Sequence, residues 1–203
     1  MRWAHAARVA SIPLLLYGCA QQAVVVDSHV PPPAPAVTRP GRPGFVIGAP
    51  HGTSDAPTAD IAAELARRTG FGLVVGAREP DGSFERRVQE TAQGRLTFYA
   101  EVHGATRRES ANRIEIGAAG ADRELADRLR TLLELIRDAH LRGRAGTPRL
   151  EVVVESGRGG LPRASGRALH LELPRAARAE AREPYVTILA EFLAQAATLP
   201  AGR

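Results

Sequence analysis

Two short apolar runs, with one amphipathic segment between them, constrain the fold of this chain more than any other feature. The runs cover residues 45–49 and 71–77, and a proline follows the first while a glycine precedes the second. Apolar runs of this length, bounded by breakers, are typical of buried strands. Residues 59–68 carry apolar side chains at helical spacing, with Thr58 predicted to cap the helix and Gly70 to end it. A strand, a helix and a strand in this order predict a parallel sheet.

The rest of the chain extends this pattern. Residues 78–94 are polar and lack a clear period, which indicates a loop with a short helical piece. A long helix is predicted at residues 122–141 from apolar side chains at helical spacing, and a last helix at residues 184–197. Four further strands are predicted, at residues 96–103, 113–118, 150–155 and 168–173. We therefore expect an α/β fold: a single domain with a mixed, largely parallel central sheet flanked by helices.

The first 19 residues have the pattern of a secretion signal. Two arginines precede a short apolar stretch, and residues 16–19 resemble a bacterial lipobox that ends in Cys19. The apolar stretch is too short to cross a bilayer as a helix. Cys19 is therefore predicted to carry a lipid anchor, and the alanine after it is typical of the outer membrane in a cell with two membranes. The alternative is an ordinary signal peptide with a chance cysteine.

Residues 20–44 are rich in proline and carry little core-forming pattern. Such a composition favours an extended, polyproline-like tether, which would hold the domain at residues 45–203 away from the membrane. The net charge of +5 comes from arginines that alternate with acidic residues along the chain. Since no basic block stands apart, we predict no nucleic-acid partner.

The first candidate site residues follow the first predicted strand. His51 comes directly after a proline, Gly52 allows a sharp turn, and Asp55 lies four residues beyond the histidine. Ligands of open α/β sheets bind at the carboxyl ends of the strands, and zinc accepts imidazole nitrogen and carboxylate oxygen. His51 and Asp55 are therefore candidate metal ligands. The alternative is that His51 closes a turn and Asp55 caps the following helix.

Two later strands each carry a pair of polar side chains on one face. Glu101 and His103 are two residues apart, as are His170 and Glu172, so each pair shares a face of its strand. Burying such groups unpaired is costly. We interpret His103 as a metal ligand, Glu172 or Glu101 as the general base, and His170 as a substrate-binding or supporting residue. The alternatives are a core histidine satisfied by Glu101, and an edge strand with a polar outer face.

Two arginines flank these residues in the sequence. Arg107 lies four residues beyond His103, and Arg175 follows the strand that carries Glu172. A guanidinium matches a carboxylate through two hydrogen bonds. Arg107 and Arg175 are therefore predicted to bind an acidic group of the substrate.

Three short motifs together resemble one group of enzymes. They are Ala-Pro-His-Gly at residues 49–52, Glu-Val-His-Gly at residues 101–104 and Leu-His-Leu-Glu-Leu-Pro at residues 169–174. In this order they are similar to the N-formylglutamate amidohydrolase-like group, with related poly-γ-glutamate hydrolases and, more distantly, zinc carboxypeptidases and aspartoacylase-type enzymes. The resemblance covers roughly residues 45–197.

The resemblance implies an α/β core, one zinc ion, and hydrolysis of an amide bond next to a carboxylate. It matches His51 and His103 to the histidine ligands, places Asp55 near an acidic ligand, and likens Glu172 to a carboxylate near the metal. The expected substrate is a small acidic amide, a γ-glutamyl compound or a cell-wall peptide. Two other functions stay open: a binding protein that keeps the pocket without turnover, and a structural lipoprotein that contacts the cell wall.

Overall fold

Seven strands form one mixed sheet in a computed structural model of this protein, which describes residues 36–76, 82–157 and 167–200. In chain order the strands are β1 Val37–Arg39, β2 Arg42–Ala49, β3 Phe71–Val75, β4 Phe98–Gly104, β5 Arg113–Ala119, β6 Glu151–Ser156 and β7 Arg167–Leu173. In space they run in the order β1-β3-β2-β4-β7-β5-β6. The pairs are parallel except for β1 with β3 and β5 with β7.

Helices connect most of these strands. They are α1 Ala56–Thr69, α2 Ser83–Thr91, α3 Arg123–Leu141, α4 Arg175–Arg178 and α5 Arg182–Ala196, with one 3-10 turn at Arg108–Ser110. Among the helices in the described ranges, none has both the length and the apolar character needed to span a membrane.

The strand pairings and the helices between them confirm the α/β fold class and the mixed, largely parallel sheet.

The sheet begins earlier than the predicted domain start at residue 45. β1 and the first residues of β2 lie inside the segment that was predicted as a tether, and Val37 pairs with Val75 across an antiparallel ladder. All three residues of β1 are exposed, so the strand has no apolar pattern that sequence analysis could detect. Prolines next to it are tolerated because β1 is an edge strand. The predicted signal peptide, Cys19 and residues 20–35 lie outside the described residues.

Helix α1 shows how local sequence sets an element's ends. The helix begins at Ala56, directly after Asp55 at the N-cap position, and Gly70 closes it in a left-handed conformation with φ of 73°. Glycine adopts this conformation without the steric cost of a Cβ atom. The prediction that Thr58 caps the helix is wrong, because its hydroxyl donates instead to the carbonyl of Asp55 at 2.7 Å.

The two faces of the sheet are covered very differently. Alternate strand residues, such as Ile47, Val102 and Leu171, join α1, α3 and α5 in one large buried cluster on what we call the first face. The other strand residues point to the second face, where a much smaller cluster forms around Val46, Tyr99 and Val88 of α2. Side chains alternate between faces along every strand, so the remaining positions of the second face are left for other groups.

Candidate metal and catalytic site

The four paired polar residues lie side by side on the second face. In the parallel ladder between β4 and β7, Glu101 is opposite His170 and His103 is opposite Glu172. Because each pair is two residues apart on its own strand, all four side chains point to the same face. They form a two-by-two block near the carboxyl ends of both strands, as the sequence predicts for a ligand site. We refer to these four residues as the His–Glu block.

Three members of this block form a group that could hold a metal ion. Glu101, His103 and His170 each offer one ligand atom, and the three atoms lie within 4.8 Å of one another. His103 Nε2 lies 2.9 Å from Glu101 Oε1, and the rings of His103 and His170 have centroids 4.2 Å apart. Two imidazoles and one carboxylate are a donor set that zinc accepts.

The environment of His170 favours its neutral form. Burial is the main cause that lowers the pKa of this histidine, and the nearby ring of His103 lowers it further, against the opposite effect of Glu101 and Glu172. A neutral imidazole has a lone pair to offer, whereas an imidazolium does not. His170 was predicted only as a substrate-binding or supporting residue, and its place in the group adds a candidate ligand that sequence analysis missed.

His51 and Asp55, the two other predicted ligands, both follow β2, and of the two it is His51 that lies beside the block. The ring of His51 is 5.4 Å from that of His103, centroid to centroid. Asp55 instead faces Arg178, whose Nη1 lies 3.3 Å from Asp55 Oδ1. The structure thus brings His51 next to the block and pairs Asp55 with a guanidinium, and their roles as ligands stay predictions.

A glycine makes this arrangement of Asp55 and Arg178 possible. A Cβ atom on Gly104 would lie 2.6 Å from Asp55 Oδ2 and 2.7 Å from Arg178 Cζ, which is closer than real Cβ contacts come. The His-Gly sequence at the end of β4 therefore has a local explanation: the histidine faces the block, and the glycine leaves room for the ion pair next to it.

Arg178 is the arginine of α4 that turns back to the sheet, and Arg175 is not. The Arg175 side chain is 85% exposed, and its Nε lies 3.6 Å from Glu180. Arg178, one helical turn later in α4, donates from Nε to the carbonyl of Leu173 at 3.1 Å. The prediction placed the arginine by its distance along the sequence, whereas the turn of α4 decides which side chain comes back to the sheet.

Arg107, the other predicted substrate-binding arginine, lies beside Glu172. Its Nη2 is 3.6 Å from Glu172 Oε2 and 2.6 Å from Glu115 Oε2. Glu172 is also 3.5 Å from His170, between their Oε1 and Nε2 atoms. The predicted base therefore has an imidazole on one side and a guanidinium on the other.

Glu115, which the sequence analysis did not select, is a buried carboxylate at the edge of this site. Burial raises its pKa, but hydrogen bonds from Ser110 and Arg113 and the charge of Arg107 outweigh that effect, so the pKa is lowered overall. The sequence predicts the strand that carries Glu115, but it does not tell whether the polar side chains of that strand meet water or other side chains.

No protein-family model matches the sequence, and a search of curated proteins gives no match. Among solved structures, an N-acetylmuramoyl-L-alanine amidase of Nostoc punctiforme is similar at 14% identity and a TM-score of 0.45, over 76% of this chain and 98% of that chain. An N-acetylmuramyl-L-alanine amidase from Mycobacterium smegmatis is similar at 10% identity and a TM-score of 0.39, over 77% and 98%. A metallo-carboxypeptidase from Burkholderia cenocepacia is similar at 12% identity and a TM-score of 0.38, over 79% and 59%. The resemblance to N-formylglutamate amidohydrolases stays a prediction from the three sequence motifs.

Proposed function

We propose that this protein is a zinc-dependent hydrolase of an amide bond next to a carboxylate. The observation that carries the proposal is the His–Glu block on the second face, with Arg107 beside its Glu172. The substrates proposed are N-formylglutamate, γ-glutamyl compounds or cell-wall peptides, as the sequence resemblance implies.

Glu101, His103 and His170 are the residues that would hold the ion. Their nitrogen and oxygen donors fit zinc, and the lowered pKa of His170 keeps a lone pair ready at neutral pH. His51 is a further donor beside His103. When bound, zinc supplies a Lewis acid that polarises an amide carbonyl and makes water a stronger nucleophile.

Glu172 is the general base in this proposal. It lies in the same block as the candidate ligands but outside the group of three, so its carboxylate can accept a proton from the attacking water. The same carboxyl group then gives the proton to the leaving amine. Glu101, the other predicted base, is engaged with His103 at 2.9 Å, which favours a ligand or orienting role for it.

The guanidinium of Arg107 would bind the acidic part of the substrate. Arg107 lies beside Glu172 of the block and is held by another carboxylate of this chain, Glu115. An arginine fixed in place can present its remaining N–H groups to a substrate carboxylate in a fork.

The cell envelope is the proposed location. It depends on lipidation of Cys19 after export, which the first residues of the sequence predict. An amidohydrolase anchored there would meet cell-wall peptides and γ-glutamyl polymers as well as small formylated amino acids.

Metal content and turnover, measured on the same samples, test this function. Elemental mass spectrometry of the purified protein should give about one zinc per chain, and the doubly substituted variant His103→Ala/His170→Ala should give none. The Glu172→Gln variant should keep the zinc and lose roughly 10²- to 10⁴-fold of its turnover of formyl- and γ-glutamyl substrates.

Two outcomes would contradict the proposal in different ways. A folded protein that takes up no zinc after reconstitution would rule out the metal-dependent mechanism and favour the structural lipoprotein. A protein that turns over no amide, and whose binding of zinc and of an acidic ligand is unchanged by the Glu172→Gln substitution, would be a binding protein.

A further inference from the structure

Two carboxylates lie directly opposite each other on the second face. Glu115 of β5 and Glu172 of β7 are register partners in the antiparallel ladder that joins these strands. Like charges directly opposite each other destabilise a sheet. A single atom, Nη2 of Arg107, lies 2.6 Å from Glu115 and 3.6 Å from Glu172, so one guanidinium separates the two charges.

Glu115 is the fixed member of this set. It is 6% exposed and accepts hydrogen bonds of 2.6 Å from Arg107, Ser110 and Arg113. Glu172 is more exposed, and its contacts with Arg107 and His170 are longer, at 3.6 and 3.5 Å. Arg107 is therefore anchored to Glu115 and placed beside Glu172.

Glu115 also holds the connection between β4 and β5 in place. Arg107 and the buried Ser110 both belong to residues 105–112, which follow the His103-Gly104 end of β4. Glu115 binds both of them, one with each of its carboxylate oxygens. This connection is thus tied at two points to one buried side chain.

The Arg107 side chain is partly open to solvent. It is 39% exposed, and Nη2 is the nitrogen that lies nearest to both carboxylates. A guanidinium has five N–H groups in a planar fork, so the others can donate to an incoming carboxylate. An arginine that is already held also loses less conformational freedom when a ligand binds.

We infer that Glu115 is a positioning residue that holds Arg107 so that its remaining N–H groups select an acidic substrate next to Glu172. The inference deepens the proposed function and rests on it, because it assigns the source of selectivity for the acidic group. Glu115 itself touches no substrate. Without its charge, Arg107 is released from its anchor and Glu172 becomes its nearest anion.

The test compares an acidic substrate with its neutral carboxamide analogue. In the Glu115→Gln variant, KM for the acidic substrate should rise roughly 10- to 100-fold, the effect of losing a charge-assisted hydrogen bond. KM for the carboxamide and the zinc content should change little. Arg113→Gln is the matched control, because Arg113 also donates to Glu115 but, unlike Arg107, forms no ion pair with Glu172 in the described part of the chain.

A double-substitution cycle separates positioning from a general effect on the fold. Arg107→Gln should lose the same preference for the acidic substrate, and adding Glu115→Gln to it should lower that preference no further. If Glu115→Gln does not fold, Arg107→Lys replaces it in the test. A lysine keeps the charge but lacks the fork, so the preference should fall while the thermal midpoint stays unchanged.

Glutarate binding, measured by calorimetry, distinguishes a failure of this inference from a failure of the proposed function. If the protein hydrolyses no amide but binds glutarate in a way that depends on Glu115 and Arg107, the hydrolase fails and the positioning role stands. If the wild type shows no preference for acidic ligands, or if Glu115→Gln weakens acidic and neutral ligands alike, the positioning role is overturned.

Discussion

Tyr185 and Tyr99 are both fully buried, one on each side of the sheet, yet their hydroxyl groups are treated in opposite ways. Tyr185, in the large cluster of the first face, accepts from the backbone N–H of Leu150 at 2.8 Å and donates to the carbonyl of Pro148 at 2.7 Å. Tyr99, in the small cluster of the second face, has a hydroxyl without a hydrogen-bond partner among the described residues. It lies over Gly48, where any side chain would meet the tyrosine ring.

This difference follows from what each face of the sheet carries. The first face joins α1, α3, α4 and α5 to the sheet through continuous apolar packing, which supplies most of the buried surface that stabilises a domain. The second face holds charged and imidazole side chains in partly exposed positions, together with the hydroxyl of Tyr99, which has no hydrogen-bond partner among the residues that the structure describes. Unsatisfied and charged groups near a site are costs that the packing elsewhere must offset.

The largest expected difference between the faces is in activity. His103→Ala on the second face should abolish zinc binding and turnover, while the free energy of unfolding of the metal-free protein changes little, because the side chain is partly exposed and its loss frees a carboxylate, Glu101, that water can also reach. Elemental analysis and chemical denaturation of the same sample measure both. His140→Ala is the control, since His140 pairs with Glu191 on the helices of the first face. Loss of zinc in that control would contradict the assignment.

Substitutions on the first face should change the stability of the protein. Phe192 is fully buried in the large cluster, so Phe192→Ala should lower the free energy of unfolding by about 3–5 kcal/mol. Urea denaturation measures this, and Leu135→Ala, at an exposed position, should be close to neutral. A loss as small as that of the control would show that the large cluster is loosely packed.

The two tyrosines give the sharpest test of the comparison. Tyr185→Phe leaves a buried N–H and a carbonyl without their partner and should cost about 1–3 kcal/mol. Tyr99→Phe removes a buried hydroxyl that has no partner in the described part of the chain, so stability should stay the same or rise. Thermal and urea unfolding of both variants decide the matter. Equal losses would mean that the hydroxyl of Tyr99 is satisfied in solution.

The smallest effect concerns the pH dependence of stability. Hydrogen bonds from Arg67 and Arg68 lower the pKa of Glu64 on α1 to about 2, from an ordinary value of 4.5. A depressed folded-state pKa gives stability that is present above the unfolded value and is lost as the pH falls toward the folded one. Glu64→Gln should remove that loss, so that unfolding free energy falls less between pH 4.5 and 2. If the unfolding free energy of the Glu64→Gln variant fell as steeply toward low pH as that of the wild type, this role of Glu64 would be contradicted.

Much of the fold could be predicted because its signals are local. The strands at Phe71–Val75, Arg113–Ala119 and Arg167–Leu173 and the helix at Arg123–Leu141 lie within a few residues of their predicted bounds. Apolar runs and helical periods report directly on which side chains must be buried. Strand β1 was missed because an exposed edge strand buries nothing and leaves no such pattern.

The site could be predicted in part. The pairs Glu101/His103 and His170/Glu172 were found from their two-residue spacing, and their assembly into one block follows from the β4–β7 register. Arg178 and Glu115 were missed for different reasons. Arg178 comes back to Asp55 and the sheet through the turn of a four-residue helix, and the side chain of Glu115 lies opposite another carboxylate instead of meeting water.

The sequence by itself determined most of the strands and helices and which polar side chains share a strand face, because the periods of 2 and 3.6 residues are properties of the local backbone. Only the tertiary structure decided that β7 lies between β4 and β5. That strand order places Glu172 next to His103 on one side and opposite Glu115 on the other, and so brings Arg107 between two carboxylates. Strand order depends on how helices pack across the whole sheet, and no local pattern encodes it.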